Sequence, residues 1–239
     1  ASALHQAAKD DFLVVFSAAR DPYDRRIAEG MMRLEAGDYE PAQAGFHFLA
    51  GEKPGRPEAF VLEVWALRKA GKSQDAVQAA RKSAGEQPNV PYLGLVGAEA
   101  LFAGGEMEAA RAAVGPLLQR WPGLVDALRI EGAARLAGHD PAAALECAER
   151  ALRTDPDADE LHLLRARALA AAGRGCEAIA ALSLRIEAGV EHGDFLFERG
   201  RLYVEHGDRA HGGEDLQAYR TRFPDGPWAE RARELLEGR

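Results

Sequence analysis

The sequence predicts an all-α solenoid of antiparallel helix pairs, and the evidence is two sets of residues that recur every 34 positions. Proline recurs at this period, with one interval doubled, at Pro54, Pro88, Pro122, Pro156 and Pro224. A small residue recurs in the same register at Ala42, Ala76, Ala110, Ala144, Ala178 and Gly212. We expect the small residue to lie where two helices approach closely, and the proline to end the second helix of each pair.

Composition supports a helical fold and argues against some classes of partner. Of the 239 residues, 47% are hydrophobic, and runs of β-branched residues are scarce. The formal net charge is −8 and lysine-rich stretches are absent, so we expect neither nucleic acid nor an anionic membrane as the main partner. No stretch reaches the roughly 18 apolar residues of a membrane span, and we therefore expect no direct membrane span.

The second repeat shows how one helix pair is specified. Apolar residues between Ala59 and Ala70 cover more than half of a helical circumference, which is typical of a helix packed on two sides. We expect Gly71 to end this helix and Ser73 to cap the next one. Elsewhere the expected N-caps are aspartates, two of which precede proline: Asp21, Asp38, Asp140 and Asp208.

These features resemble the tetratricopeptide repeat. The first repeat reads Gly37-Asp38-Tyr39-Glu40, then Ala42, Phe46 and Pro54, as in the second half of that family's motif. The resemblance implies a right-handed α-solenoid, or superhelix, of antiparallel helix pairs, and its register gives six repeats within 23–226: 23–56, 57–90, 91–124, 125–158, 159–192 and 193–226. An N-terminal helix within 1–22 precedes them, and a C-terminal capping helix within 227–239 follows.

The chain departs from the family's pattern in its first helices. The position before the small residue is usually leucine, but here it is charged or glycine: Glu29, Glu63, Gly97, Glu131, Arg165 and Arg199. We therefore expect the first helices to be slightly rotated or shifted relative to the family. The turn at 138–141 is also expected to be shifted by one residue relative to the turns of the other repeats.

The two ends of the array are predicted to be helical. After 225–227, the apolar residues Trp228, Ala229, Ala232, Leu235 and Leu236 recur at helical spacing, as expected of a cap that covers the last stacking face. At the other end, Phe12, Val15 and Phe16 need shelter. The N-terminal helix either packs on the array, or enters its groove, or inserts into a partner or lipid surface.

In the resembling family the first helix of each repeat lines the concave surface. Carried over to this chain, that surface is apolar and aromatic towards the N-terminus and rich in arginine towards the C-terminus. Its residues are Ile27, Met31, Val61, Trp65, Arg68, Tyr92, Leu95, Phe102, Arg129, Leu163, Arg167, Phe197 and Arg201. The carboxylate clamp of chaperone-binding members is absent, because its positions hold Ile27, Met31, Val61 and Trp65. Recognition of a chaperone tail is therefore not expected.

Signals for chemistry are poor. The chain has no H-E-x-x-H sequence, no phosphate-binding loop and no nucleophile elbow, so we expect no enzyme, no catalytic residues and no cofactor. No metal is predicted either, although a surface site in the last repeat is the alternative for His192, His206 and His211 with Glu191, Asp194 and Glu214. Cys147 and Cys176 lie in different repeats and are expected to be free and structural.

Two functions remain open. The first is a non-enzymatic scaffold that binds another protein, as an extended peptide or a helix, in its concave groove. The second is a structural or assembly component of a bacterial cell envelope or larger complex, acting through its convex face, its ends or its N-terminal helix.

The sequence of residues 219–229 resembles a short motif of repeat-containing bacterial envelope lipoproteins. The chain starts at Ala1, so we expect it to be processed or cut from something longer, and the compartment stays open between cytoplasm and envelope. A monomer is favoured.

Overall fold

The computed structural model describes residues 21–86, 91–190 and 192–238, and the helix predicted before residue 21 lies outside these ranges. In the described residues the chain forms thirteen α-helices and no strand, which confirms the all-α solenoid prediction. The helices are α1 Pro22–Glu35, α2 Tyr39–Glu52, α3 Glu58–Lys69, α4 Ser73–Glu86, α5 Pro91–Ala103, α6 Met107–Arg120, α7 Val125–Ala137, α8 Pro141–Thr154, α9 Asp159–Ala171, α10 Gly175–Glu187, α11 Gly193–Glu205, α12 Arg209–Arg222 and α13 Ala229–Glu237. None of these helices is long and apolar enough to cross a membrane.

The small residues at the 34-residue period are buried where two helices pack closely. The five alanines of this set are 0% exposed. At the sixth position, a Cβ added to Gly212 would lie 2.8 Å from the carbonyl oxygen of Gly200 and 2.7 Å from Cγ2 of Val204. The two helices of a pair can therefore approach only because these side chains are small or absent.

The helices fall into two compact units. The N-terminal unit comprises the described residues up to Leu117, and the C-terminal unit those from Leu118. In the N-terminal unit each helix from α1 to α5 packs on the next, and the first helices α1, α3 and α5 also pack on one another in turn. The C-terminal unit repeats this arrangement from α7 to α13, with α7, α9, α11 and α13 in successive contact.

The turn within each helix pair uses one residue with a left-handed backbone. This residue is glycine in five pairs, at Gly37, Gly71, Gly105, Gly173 and Gly207. In the fourth pair it is His139, with φ 61°. The turn is therefore in step with the others, and the predicted one-residue offset is wrong. Gly138 misled the prediction, because it precedes the left-handed position and ends α7 with φ −81°.

Aspartates cap several helices as predicted. The backbone N–H of Tyr23 donates to the carboxylate of Asp21 at 2.9 Å, and the backbone N–H of His211 donates to that of Asp208 at 3.2 Å. Asp140 accepts from the N–H of Ala143 at 3.2 Å. Asp38 stands at the N-cap of α2 but makes no side-chain cap hydrogen bond. Ser73 is the first helical residue of α4, so the expectation that it precedes the helix as a cap is wrong.

The left-handed backbone at His139 leads to the first prediction. An L-residue with a Cβ is strained in this region, whereas glycine adopts it freely. Since His139 is exposed, we expect His139→Gly to raise the free energy of unfolding by about 0.5 to 1 kcal/mol. Urea denaturation followed by circular dichroism measures the change.

Gly173 provides the matched control, because it has φ 76° and no other atom would lie within 4 Å of its added Cβ. Gly173→Ala should destabilise the protein by about 1 kcal/mol through backbone strain alone. If His139→Gly instead lowers the free energy of unfolding, the contacts of the histidine side chain stabilise the fold by more than its left-handed backbone destabilises it.

The last helix packs on the two helices before it in the C-terminal unit. Trp228 stands immediately before α13 and stacks on Phe197, with ring centroids 4.9 Å apart and 9° between the ring planes. Its Nε1 donates to Oδ1 of Asp194 at 2.9 Å, and its backbone N–H donates to the hydroxyl of Tyr219 at 3.1 Å. Ala232 of α13 is fully buried in the same cluster. The helix is thus held by stacking, hydrogen bonds and apolar packing together.

Candidate functional site

The first-helix face of the N-terminal unit combines buried and half-buried apolar side chains. Ile27 and Leu95 are buried, so they belong to the core. Met31, Val61 and Trp65 are partly buried and pack against the cluster that contains Ile27. These three leave part of their surface open to solvent, which is the arrangement that a partner's apolar residue can use.

Two further residues of this face lie towards the ends of α3 and α5. Phe102 is half-buried. Nη1 of Arg68 lies 3.5 Å from Oε2 of Glu99, so the guanidinium faces a carboxylate of the next first helix. The side chain of Tyr92 lies outside the described part of the chain.

The first-helix face of the C-terminal unit carries ion pairs between neighbouring first helices. Nε of Arg129 lies 3.4 Å from Oε2 of Glu160, which joins α7 to α9. Nε of Arg167 donates to Oε1 of Glu198 at 2.5 Å, which joins α9 to α11. Each pair neutralises an arginine predicted for the groove, so a carboxylate of a partner has to compete with an internal one.

Arg201 completes this series within α11. It donates to Oε2 of Glu198 at 2.9 Å and to Oε1 of Glu205 at 2.5 Å. Burial alone would lower the pKa of Arg201, but the two carboxylates outweigh it and the pKa is raised. Arg201 therefore stays charged and shares Glu198 with Arg167.

Two residues predicted for the groove have structural roles in the C-terminal unit. Leu163 is buried in a core cluster formed by α9, α10 and α11. Phe197 is 3% exposed and lies against Tyr219 and Trp228. Their side chains fill the core, and a bound partner would find little of their surface.

Two of the charged residues that replace leucine in the first helices, Glu63 and Arg199, are paired with second helices. Glu63 accepts from Nε2 of Gln43 at 3.3 Å and lies 2.7 Å from Nδ1 of His47. Arg199 donates two hydrogen bonds of 2.7 Å to Asp215 and one of 3.0 Å to Ser183. In these two repeats the charge is therefore satisfied inside the fold.

In all six first helices, the residue that follows the position where the family has leucine is buried. The six are Gly30, Val64, Ala98, Gly132, Ala166 and Gly200. A rotation of the first helices is thus not needed to accommodate the charges. Sequence reasoning missed the polar partners, although their spacing offered a signal: His47, Ser183 and Asp215 each lie 16 residues from the charge that they contact.

The histidines considered for a metal site each have a local partner. These partners are the ring of Phe195 for His192, the carbonyl oxygen of Leu202 for His206 and the carboxylate of Asp208 for His211. The hydrogen bond to Asp208 raises the pKa of His211. No group of three or more His, Cys, Asp or Glu side chains among the described residues could hold a metal ion, and Glu191 lies outside them.

Both cysteines are free, as predicted. Cys147 is buried, and burial raises the pKa of its thiol to about 11, which keeps it protonated and unreactive near neutral pH. Cys176 is exposed on α10.

Comparison with known proteins agrees with this geometry. A tetratricopeptide repeat family model matches residues 135–208. No curated protein matches the chain significantly. PilF from Pseudomonas aeruginosa is similar, with a TM-score of 0.69 and 18% identity over 87% of this chain and 95% of that one.

Two other solved structures extend the likeness. PilW, described as a widely conserved type IV pilus biogenesis factor, has a TM-score of 0.74 and 15% identity, covering 87% of this chain and 97% of its own. A chain of the Cut9–Hcn1 hetero-tetramer of the APC/C has a TM-score of 0.79 and 14% identity, covering 96% of this chain and 46% of its own.

Helix pairs at a 34-residue period, small residues buried where the helices cross, the matched family model and the similar folds all agree. The chain therefore has the fold of a tetratricopeptide repeat array, and residues 135–208 match the family itself.

Proposed function

We propose that this chain is a non-enzymatic scaffold that binds a segment of another protein on the faces of its first helices. The observation that carries the proposal is the pair of half-buried aromatic side chains Trp65 and Phe102 on α3 and α5. Tryptophan at such a position combines a large apolar surface with a fixed orientation, and it is among the residues that most often dominate binding energy. An apolar side chain of the partner would pack against these rings, with Met31 and Val61 beside them.

On the C-terminal unit, taken by itself, a partner would bind by exchange of ion pairs. Arg129, Arg167 and Arg201 each face a carboxylate of the protein, so a partner carboxylate gains only the difference between its own contacts and those it replaces. These arginines are thus expected to govern the orientation and salt dependence of binding more than its strength. The partner segment would be apolar where it meets α3 and α5.

The test is to capture partners from the source organism and measure their affinity for two single variants. Trp65→Ala is expected to weaken binding by about 2 kcal/mol or more, which is roughly thirtyfold in Kd, because it removes a partly buried anchor. Phe48→Ala is the matched control, since Phe48 is an aromatic residue on a second helix and is 65% exposed. Circular dichroism must show equal helicity for both variants.

The reverse result would favour the second candidate function. That candidate is a structural or assembly component, and the observation in its favour is that Phe48 and Leu184 are both exposed on second helices. If Phe48→Ala or Leu184→Ala weakens association while Trp65→Ala leaves the affinity unchanged, the contact lies on the second-helix side. The groove proposal is then abandoned.

A further inference from the structure

A cleft of about 550 Å³ lies between the second helices α2 and α4, and α3 also contributes to its lining. We call it the polar cleft. Its polar side chains include Gln43 and His47 of α2, Glu63 of α3, and Gln78, Lys82 and Ser83 of α4. It shares none of its lining with the aromatic face formed by Trp65 and Phe102, so it is a separate candidate site.

Glu63 is the residue that gives this cleft its chemistry. It is only 7% exposed, and both of its hydrogen-bond partners, Gln43 and His47, contact Oε1. No described residue donates to Oε2. An ionised carboxylate accepts several hydrogen bonds, and Oε2 is not among the buried atoms that lack a partner, so it is open to the cleft and able to accept. Glu63 therefore presents a carboxylate oxygen, in a recessed position, to a donor that enters the cleft.

The surroundings of Glu63 fit an arginine side chain. Apolar side chains of Ala50, Phe60 and Leu67 line the same cleft and can cover the methylene groups of such a side chain. A guanidinium is planar, carries five N–H donors and is more weakly hydrated than an ammonium, so it loses less on entering a recess. Ser83 donates its own proton to the carbonyl oxygen of Ala79 at 2.7 Å, which leaves its hydroxyl oxygen able to accept.

The charges around the cleft allow a cation to enter. Two lysines line it, but Nζ of Lys72 is held 2.7 Å from Oε1 of Glu40. Asp75 and Glu86 add two carboxylates to that of Glu63. The lining thus carries three acidic groups and two lysines, and the buried charged residue among them, Glu63, is acidic.

We propose that the polar cleft is a second binding site that receives an arginine side chain of a protein partner, with its guanidinium hydrogen-bonded to the carboxylate of Glu63. The site lies on the second-helix side of the N-terminal unit and is independent of the proposed function of the first-helix faces. A partner could therefore be held on this side whether or not the aromatic face is occupied.

The probe is N-acetyl-arginine amide, compared with N-acetyl-citrulline amide, which has nearly the same shape but no charge. Titration of each into the intact chain, followed by protein NMR, measures the two affinities. We expect the arginine compound to shift resonances of the residues lining the cleft, His47 among them, and to bind at least about tenfold more tightly than the citrulline compound. Equal affinities would overturn the proposal.

Variants assign the interaction to the cleft. Glu63→Gln should lower the affinity for the arginine compound at least about tenfold, since it removes the charge and keeps the shape. Glu108→Gln is the matched control, because Glu108 is an exposed residue of α6 that does not line the cleft. It should leave the affinity unchanged.

A second variant keeps the test valid if Glu63→Gln unfolds the protein. Gln78 is an exposed residue of α4 at the cleft, so Gln78→Lys adds a positive charge without disturbing the core and should also weaken arginine binding. Trp65→Ala should leave binding of the probe unchanged, which separates this site from the aromatic face. Native affinity in Gln78→Lys, or loss of affinity in Trp65→Ala, would contradict the assignment.

Discussion

Removal of residues 227–239 is expected to lower the free energy of unfolding of the C-terminal unit by about 4 kcal/mol or more and to cause aggregation. The deletion takes away the Trp228 ring, and loss of a well-packed tryptophan alone costs about 3 to 5 kcal/mol. It also uncovers Phe197, Leu216 and Tyr219, which are buried in the cluster that α13 completes. The last stacking face of a repeat array would then meet water.

Urea denaturation followed by circular dichroism measures the stability, and light scattering measures the aggregation. Trp228→Phe separates the two kinds of contact, because it preserves much of the stacking on Phe197 and loses the hydrogen bond to Asp194. It should cost about 1 kcal/mol. Arg233→Ala, at an exposed position of α13, is the control. If the shortened chain stays soluble and its unfolding midpoint matches that of the intact chain, α13 is not a cap.

The fold could be predicted from the sequence because its determinants are local or strictly periodic. A small residue that recurs at a fixed helical position is expected where two helices pack closely. All five alanines at the 34-residue period are buried. The Asp-Pro pairs at Asp21 and Asp140 marked helix starts through the fixed backbone of proline and the capping carboxylate. His139 was missed because it is not glycine, although the 34-residue period from Gly105 to Gly173 places it at the left-handed position of its turn.

The candidate site could be predicted less well, because periodicity places a side chain on a face but does not show what it contacts there. Leu163 and Phe197 occupy the same first-helix position as Val61, yet packing from α10 and α13 buries them. Arg68, Arg129 and Arg167 raise the same difficulty, since their carboxylate partners lie one helix pair away. A usable signal was present: Arg68 with Glu99 and Arg167 with Glu198 are both separated by 31 residues.

Replacement of Asp215 by alanine is expected to lower the free energy of unfolding of the C-terminal unit by about 3 kcal/mol. Asp215 is 7% exposed and holds Arg199 through two hydrogen bonds of 2.7 Å. These hydrogen bonds raise the pKa of Arg199, so the guanidinium stays charged at any ordinary pH. Without Asp215, a largely buried charge keeps only Ser183 as a hydrogen-bond partner among the described residues, and breaking a buried pair in this way typically costs 3 to 5 kcal/mol.

The double replacement Arg199→Met with Asp215→Leu tests whether the cost arises from the unpaired charge. Buried ion pairs are often replaced by apolar residues of similar volume at little cost, because the desolvation of both charges is then avoided. We therefore expect the double variant to unfold within about 1 kcal/mol of the original chain, and Asp215→Ala to be the least stable of the set. Arg231→Ala, which removes an exposed pair with Glu234 on α13, is the control and should change stability by less than about 0.5 kcal/mol.

Urea denaturation at constant salt measures all three free energies. If Asp215→Ala is as stable as the original chain, the ion pair contributes nothing to stability, and water solvates the guanidinium of Arg199 in its place. If the double variant loses as much stability as Asp215→Ala, the geometry of the pair, and not the burial of its charge, holds α11 against α12.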